Sequence, residues 1–337
     1  MKMEYLVLNE ERHVSLTAYL QPVGGEFAGL SQRPAVLIIP GGGYHFCSDR
    51  EADPVAFPYL KAGYHAFILR YSLNEQAVWP NPLSDYEQAM ELICQNAEEW
   101  HVAADRVAVV GFSAGGHLAA CAATMAKRRP AAAILGYPVI DGDCVHDYLP
   151  TAPDVPSAVD ERTCPCFLFA TRTDNLVPVK NTVHMVDALC RNDIAFESHI
   201  YSNGGHGLTT GDPSVSYQNY SSRYSAWVED SIAWLSDVMG GIGTGGLTPP
   251  RFGKKVNGNR EKTLNLNCTM KYLMAHPQGK ALLLEYLPAK DGRVNVPSAA
   301  AEAITLRDAL NFMGVDDKTR RALEARLLSI ENTVGEE

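Results

Sequence analysis

A glycine-flanked serine, an aspartate and a histidine, in that chain order, are the groups in this sequence best suited to covalent chemistry. Ser113 lies in Gly111-Phe-Ser-Ala-Gly115, the G-x-S-x-G spacing that turns the backbone sharply enough to leave the serine oxygen exposed. A serine hydroxyl is a weak nucleophile at neutral pH. An imidazole must take its proton and return it to the leaving group, and a carboxylate must hold that imidazole in one tautomer. His206, within Gly204-Gly-His-Gly207, is the candidate base, and Asp174, within Thr171-Arg-Thr-Asp-Asn-Leu-Val-Pro178, the candidate orienting acid. Upstream, Pro40-Gly-Gly-Gly-Tyr44 carries three successive glycines whose N–H groups are unobstructed. Those of Gly42 and Gly43, with that of Ala114, could hold the oxyanion of an acyl-transfer reaction. Phosphate binding is the rival use of this loop, but no lysine follows it at P-loop spacing and it contains no G-x-G-x-x-G. Tyr44 and His45 are candidate substrate contacts. His117 is a rival base, one turn beyond Ser113 and without an evident orienting carboxylate.

These residues need a scaffold that brings distant loops together. Ala35–Ile39, His65–Tyr71, Val107–Phe112, Ala132–Val139, Cys166–Thr171 and Phe196–Tyr201 are short apolar runs. Between them lie stretches with helical periodicity at Pro54–Ala62, Ser84–Trp100, Ala114–Lys127 and Val179–Arg191, with another at Tyr220–Met239. Such alternation predicts parallel strands joined by crossover helices. Ligands then bind beyond the carboxyl ends of the strands, where Ser113, Asp174 and His206 all fall. Ser84-Asp-Tyr-Glu87 has the form of a capping box. Glu4–Leu8 and Val14–Leu20 alternate polar and apolar residues and predict an antiparallel pair at one sheet edge.

A chain of 337 residues predicts one large domain plus something smaller. Its formal charge of −10 argues against a nucleic-acid or anionic-membrane partner. The N-terminus lacks the apolar core of a signal peptide, so the expected location is cytoplasmic. Eight cysteines without a paired pattern fit reduced thiols. Cys164-Pro-Cys166 has no second ligand pair, and Asp141, Asp143, His146 and Asp147 match no calcium or zinc spacing, so no metal is expected.

Taken together, Pro-Gly-Gly-Gly-Tyr44, Ser48-Asp-Arg-Glu51, Gly-Phe-Ser113-Ala-Gly-Gly-His-Leu-Ala-Ala, Asp174-Asn-Leu-Val-Pro, Gly-Gly-His206-Gly and the Trp227–Trp234 helix resemble the α/β-hydrolase superfamily. Within it the chain is similar to bacterial acetyl-xylan esterase-like and sugar-esterase hydrolases, over roughly residues 16–239. The resemblance implies an α/β-hydrolase fold, a mostly parallel sheet flanked by helices. It also implies hydrolysis of small esters, commonly O-acetyl groups on xylose-type sugars, without metal or cofactor. Proline at position 40 departs from the His-Gly-Gly-Gly of the lipase-like branch. A peptidase or arylformamidase-like amide hydrolase using the same triad is the alternative, and a non-catalytic binding protein on this fold would lack a triad residue or an oxyanion glycine.

The expected division is a catalytic domain over 1–239, a Gly/Pro-rich linker over 240–262 and a small helical module over 263–337. In the module, Thr269–Ala275, Gly279–Leu287, Leu306–Met313 and Asp316–Ile330 have helical patterns, with Asp316 as N-cap. So small a core would lean on the first domain or on a second subunit, which leaves a homo-oligomer open.

Overall fold

Val107 to Val110 form the centre of the sheet because no member of the run tolerates water. Val107 and Val109 face one hydrophobic core and Ala108 and Val110 the other, so this strand is buried on both faces. Each fully buried valine contributes about 1.5–3 kcal/mol relative to exposure. In this computed structural model the described residues are 1–27, 29–216, 220–253, 255–287, 289–290, 293–294 and 303–332. They divide into two compact units, 1–254 and 255–337.

The main sheet of the first unit has eight strands: β1 (Lys2–Asn9), β2 (Val14–Leu20), β3 (Arg33–Ile39), β4 (His65–Arg70), β5 (Val102–Phe112), β6 (Ala133–Gly136), β7 (Cys166–Thr171) and β8 (Phe196–Tyr201). They lie in the order β1-β2-β4-β3-β5-β6-β7-β8. β1 and β2 are antiparallel to their neighbours and the rest run parallel. The helices are α1 (Asp53–Lys61), α2 (Asn81–Gln95), α3 (Ser113–Met125), α4 (Gly142–Val145), α5 (Lys180–Arg191) and α6 (Ala226–Met239). α3 follows β5 without a linker. Its alanines and glycines let it approach the sheet closely, and Ala114 to Thr124 are all buried.

Several boundaries differ from the sequence reading for local reasons. β6 stops at Gly136 because Tyr137 turns into the left-handed region at φ 36°. α2 begins at Asn81, with Pro82 in its first turn, so Ser84 lies inside the helix and its N–H donates to the Pro80 carbonyl. The capping box expected at Ser84 therefore does not form. α6 starts at Ala226 rather than Tyr220.

The glycine-rich stretch read as the start of a linker is instead part of the first unit. Ile242–Gly243 (β9) and Gly246–Leu247 (β10) pair as a small hairpin. The Thr248 N–H donates to the Gly241 carbonyl at 2.8 Å, and Arg106 donates to the Thr248 carbonyl at 2.8 Å. Glycine here makes a tight turn rather than a free tether.

The second unit packs α7 (Met270–Ala275), α8 (Pro277–Tyr286), α9 (Leu306–Phe312) and α10 (Asp317–Leu327) around Leu266, Leu273, Leu283, Leu310, Leu323 and Leu327. The Asp316 carboxylate caps α10 by accepting the Thr319 N–H at 3.0 Å. Thr269 and Thr305 cap α7 and α9 in the same way and pair with each other as a bridge. The stretch from 295 to 302, within the module as read from sequence, lies outside the described residues. Among the described residues no helix is long and apolar enough to cross a membrane.

Candidate active site

Ser113 is the first residue of α3 and stands at φ 53°, a left-handed conformation costly for a residue with a side chain. The chain tolerates it because the segments on either side, Val107 to Phe112 and Ala114 to Thr124, are buried throughout. A Cβ on Gly115 would lie 2.1 Å from the Ile39 carbonyl oxygen, so only glycine lets the helix cross the sheet this closely. The turn leaves Ser113 partly exposed at the carboxyl end of the central strand.

The His206 Nε2 lies 2.8 Å from the Ser113 Oγ, and its Nδ1 lies 2.8 Å from the Asp174 Oδ2. Asp174 is 5% exposed, and its other oxygen accepts the N–H groups of Leu176 and Val177, each at 2.9 Å. Because those two amides hold the carboxylate, the Nδ1–H tautomer of His206 is favoured and Nε2 faces the hydroxyl. Asp174 follows β7, and His206 follows β8. The loop carrying His206 is steadied where the Gly204 carbonyl accepts both the Thr171 hydroxyl at 2.8 Å and the Thr173 hydroxyl at 2.9 Å.

The glycine loop follows β3 beside this group. Gly42 has φ 135°, and a Cβ on it would lie 2.0 Å from the Phe46 carbonyl oxygen. That close return bends the loop over α3. As an opening residue of α3, Ala114 has an N–H without an intrahelical acceptor. Gly42 and Gly43 thus follow β3, and Ala114 opens α3 next to Ser113.

Tyr44 departs from its sequence reading as a substrate contact. At φ 64° its side chain turns inward, is 1% exposed, and donates its O–H to the His117 Nδ1 at 2.6 Å. His45 is exposed, its Nδ1 3.3 Å from the Asn74 side-chain oxygen. His117 is fully buried, and its Nε2 donates to the Pro153 carbonyl at 3.0 Å. Burial pushes its pKa down to about 4, against the smaller upward pull of that carbonyl. A neutral imidazole with both nitrogens engaged cannot shuttle protons for Ser113.

The remaining acids lie elsewhere. Asp141 pairs with His184 Nδ1 at 2.9 Å, and the His146 Nε2 donates to the Ala152 carbonyl at 2.9 Å. Among the described residues no group of three or more His, Cys, Asp or Glu side chains could hold a metal. Cys164 and Cys166 are both buried free thiols, with the Cys166 Sγ 3.3 Å from the Cys164 carbonyl.

Sequence reasoning missed Glu51 and Tyr137. Glu51 is 3% exposed and Tyr137 buried, and the Tyr137 O–H donates to the Glu51 Oε1 at 2.6 Å. Burial pushes the Glu51 carboxyl above its usual range, while that hydroxyl and the Gly41 N–H pull it back. The Tyr137 ring meets the His206 ring edge-on at 5.0 Å between centroids. The available signal in the sequence is Ser48-Asp-Arg-Glu51, a motif to which residue types alone assign no role.

The BD-FAE family model matches residues 28–151, and that of the prolyl oligopeptidase family residues 145–241. Among solved structures, MGS-M1, an alpha/beta hydrolase enzyme from a Medee basin deep-sea metagenome library, is 42% identical. It superposes with a TM-score of 0.66 over 71% of this chain and 98% of that one. The chain therefore belongs to the α/β hydrolases. Within that class it is an esterase-like member. Endo-1,4-beta-xylanase B of Butyrivibrio fibrisolvens is 30% identical over 208 residues, covering 53% of this chain and 33% of its own length. Acetylxylan esterase of Xylanibacter ruminicola is 28% identical over 201 residues, covering 52% of this chain and 41% of its own length. The chain thus spans less than half the length of these curated relatives.

Proposed function

We propose that this protein hydrolyses short-chain esters through an acyl-enzyme on Ser113, and that its substrates are O-acetyl groups on xylose-type oligosaccharides. The observation that carries the reading is the hydrogen-bonded chain from Ser113 Oγ through His206 to Asp174, mounted on a left-handed serine. In the first half-reaction Ser113 Oγ attacks the ester carbonyl carbon as its proton passes to His206 Nε2. The carbonyl oxygen becomes an oxyanion held by the N–H groups of Gly42, Gly43 and Ala114, each donor worth roughly 10²–10³ in turnover. Collapse breaks the bond to the sugar oxygen, which leaves with the proton from His206. A water then repeats the sequence on the acyl-serine and releases acetate. Asp174 orients His206 and stabilises its cationic form throughout, without taking a proton.

The acetyl-sugar part of the reading draws on the similarity to a xylanase and an acetylxylan esterase, and on the loop over 141–165. A Cβ on Gly43 would lie 3.2 Å from the Tyr148 ring, so that loop crowds the glycine loop and favours small acyl groups. His45, exposed on the glycine loop, is a candidate contact to the sugar. The prolyl oligopeptidase match supports a second reading, amide cleavage by the same triad. We further propose that residues 255–337 take no part in bond cleavage, since every group used above lies before them.

The test is a fluorophosphonate probe together with a substrate panel. Ser113 should be labelled, and Ser113→Ala should lose labelling and turnover while keeping its fold. Acetylated xylo-oligosaccharides and 4-nitrophenyl acetate should be cleaved faster than aminoacyl amides. Labelling of another serine, or preference for the amides, would overturn the assignment.

A further inference from the structure

The Ser48-Asp-Arg-Glu51 motif has no part in the reaction above, yet its side chains reach three pieces of the site. It forms a single 3₁₀ turn (Asp49–Glu51) directly after the glycine loop, and the Ser48 N–H donates to the Gly41 carbonyl at 2.9 Å. Both oxygens of the buried Glu51 are engaged. Oε2 accepts the Gly41 N–H at 2.8 Å, and Oε1 accepts the Tyr137 O–H at 2.6 Å. The Tyr137 oxygen in turn accepts the Thr209 N–H at 3.2 Å, just beyond His206. That amide can only donate, so the phenolic proton is directed at Glu51 and the bonds run one way, from Thr209 through Tyr137 to Glu51.

The neighbouring residues extend the same brace. Arg50 Nη1 donates to the Gly207 carbonyl at 3.2 Å and to the Val215 carbonyl at 2.7 Å, holding the loop that carries His206. Asp49 accepts from Arg70 at 2.6 Å, tying the turn to β4. There is no slack on the serine side either. A Cβ on Gly41 would lie 2.9 Å from the Ser113 Cβ and 2.7 Å from the Phe112 carbonyl oxygen. A buried carboxylate is a poor device for stability alone, since apolar packing of the same volume often does as well. Here its bonds end on the two backbone segments whose separation sets the reacting geometry.

We propose that the 48–51 turn is a positioning device: Glu51, through Gly41 and Tyr137, and Arg50, through Gly207, fix the oxyanion donors relative to the His206 imidazole. The proposal rests on the reading of Ser113 and His206 given above. None of these side chains touches the reacting atoms. Their loss shifts the donors and the imidazole relative to each other, and a displacement of about 1 Å costs about 10²-fold in rate.

The experiment measures the full chain on 4-nitrophenyl acetate with Glu51→Gln and Tyr137→Phe, singly and combined, with circular dichroism as the check on folding. Glu51→Gln should lower kcat roughly 30- to 100-fold with KM within about 3-fold, because the loss falls on transition-state geometry and not on ground-state binding. Tyr137→Phe keeps the ring against His206 and removes only the linking oxygen; it should lower kcat roughly 10-fold. The double variant should be no slower than Glu51→Gln, since both changes cut one chain of bonds. A folded Glu51→Gln with wild-type kcat, a loss carried by KM, or single effects that multiply would each overturn the proposal. If Glu51→Gln does not fold, Tyr137→Phe decides alone, and a wild-type kcat there overturns it. Ser113→Ala is run alongside: turnover in that variant strikes the nucleophile assignment itself, independently of what Glu51 does.

Discussion

Acid should weaken the first unit through His117, and removing that histidine should remove the effect. The imidazole is fully buried between the Tyr44 hydroxyl and the Pro153 carbonyl, with its pKa lowered from 6.5 to about 4. In the unfolded chain it titrates near 6.5. Below that value the unfolded state binds a proton that the folded state refuses, so stability is complete above pH 6.5 and falls as pH drops towards 4. At about 1.4 kcal/mol per pH unit, going from pH 7 to pH 5 costs about 2 kcal/mol. His117→Gln loses both hydrogen bonds and should be less stable at pH 7 by about 1–3 kcal/mol. It escapes the proton-linked loss, however, so the two stability curves converge as pH falls. Urea unfolding at pH 7, 6 and 5 measures this through tryptophan fluorescence, because Trp79, Trp100, Trp227 and Trp234 all lie in the unit 1–254. His65 is also buried, with its pKa down to about 4, but it is present in both proteins and cancels in the comparison. Parallel curves, with the same slope in wild type and variant, would refute a neutral buried His117.

Asp174→Asn should lower kcat by about 10⁴ by stranding His206 in the wrong tautomer, whereas Asp141→Asn, Asp143→Asn and Asp147→Asn should stay within a few-fold in the same assay. Retained activity in Asp174→Asn would show that another acid completes the triad. Along a 4-nitrophenyl series from acetyl to octanoyl, kcat/KM should fall. A pocket that rewarded each methylene with about 0.8 kcal/mol would produce a rise instead. A chain ending after residue 254 should keep its kcat on 4-nitrophenyl acetate; a folded truncation slowed a hundredfold would show that the second unit shapes the site.

The positions of Ser113, Asp174 and His206 were legible because strand-end loops in parallel sheets recur in chain order, and each residue follows an apolar run. Glu51 and Tyr137 were not, since they stand 86 positions apart and no periodicity links them. Tyr44 misled for a backbone reason: its left-handed φ, invisible in the sequence, turns a loop tyrosine into the core. The end of β6 and the start of α2 were missed in the same way. A left-handed Tyr137 and a proline in the first helical turn set those boundaries, and both act below the level of hydrophobic pattern. The glycines after 240 showed that composition alone does not distinguish a tether from a hairpin.

The sheet order also bears on when Ser113 and His206 can first meet during synthesis. Ser113 precedes His206 by 93 positions, and β8, which leads to His206, is the outermost strand on its side of the sheet. Chains emerge from the ribosome amino end first, so the serine, the glycine loop and Glu51 all exist before any base can reach them. On the proposed mechanism, a chain made only as far as β7 has Ser113 without its base and should hydrolyse esters far more slowly than the finished protein. Because β8 adds to an open edge, it can dock last without threading past finished structure. The strand that completes the sheet is followed at once by the imidazole, and by the Thr209 amide that closes the brace through Tyr137. On the proposed mechanism, Ser113 gains its base only after the last strand of the sheet has been made.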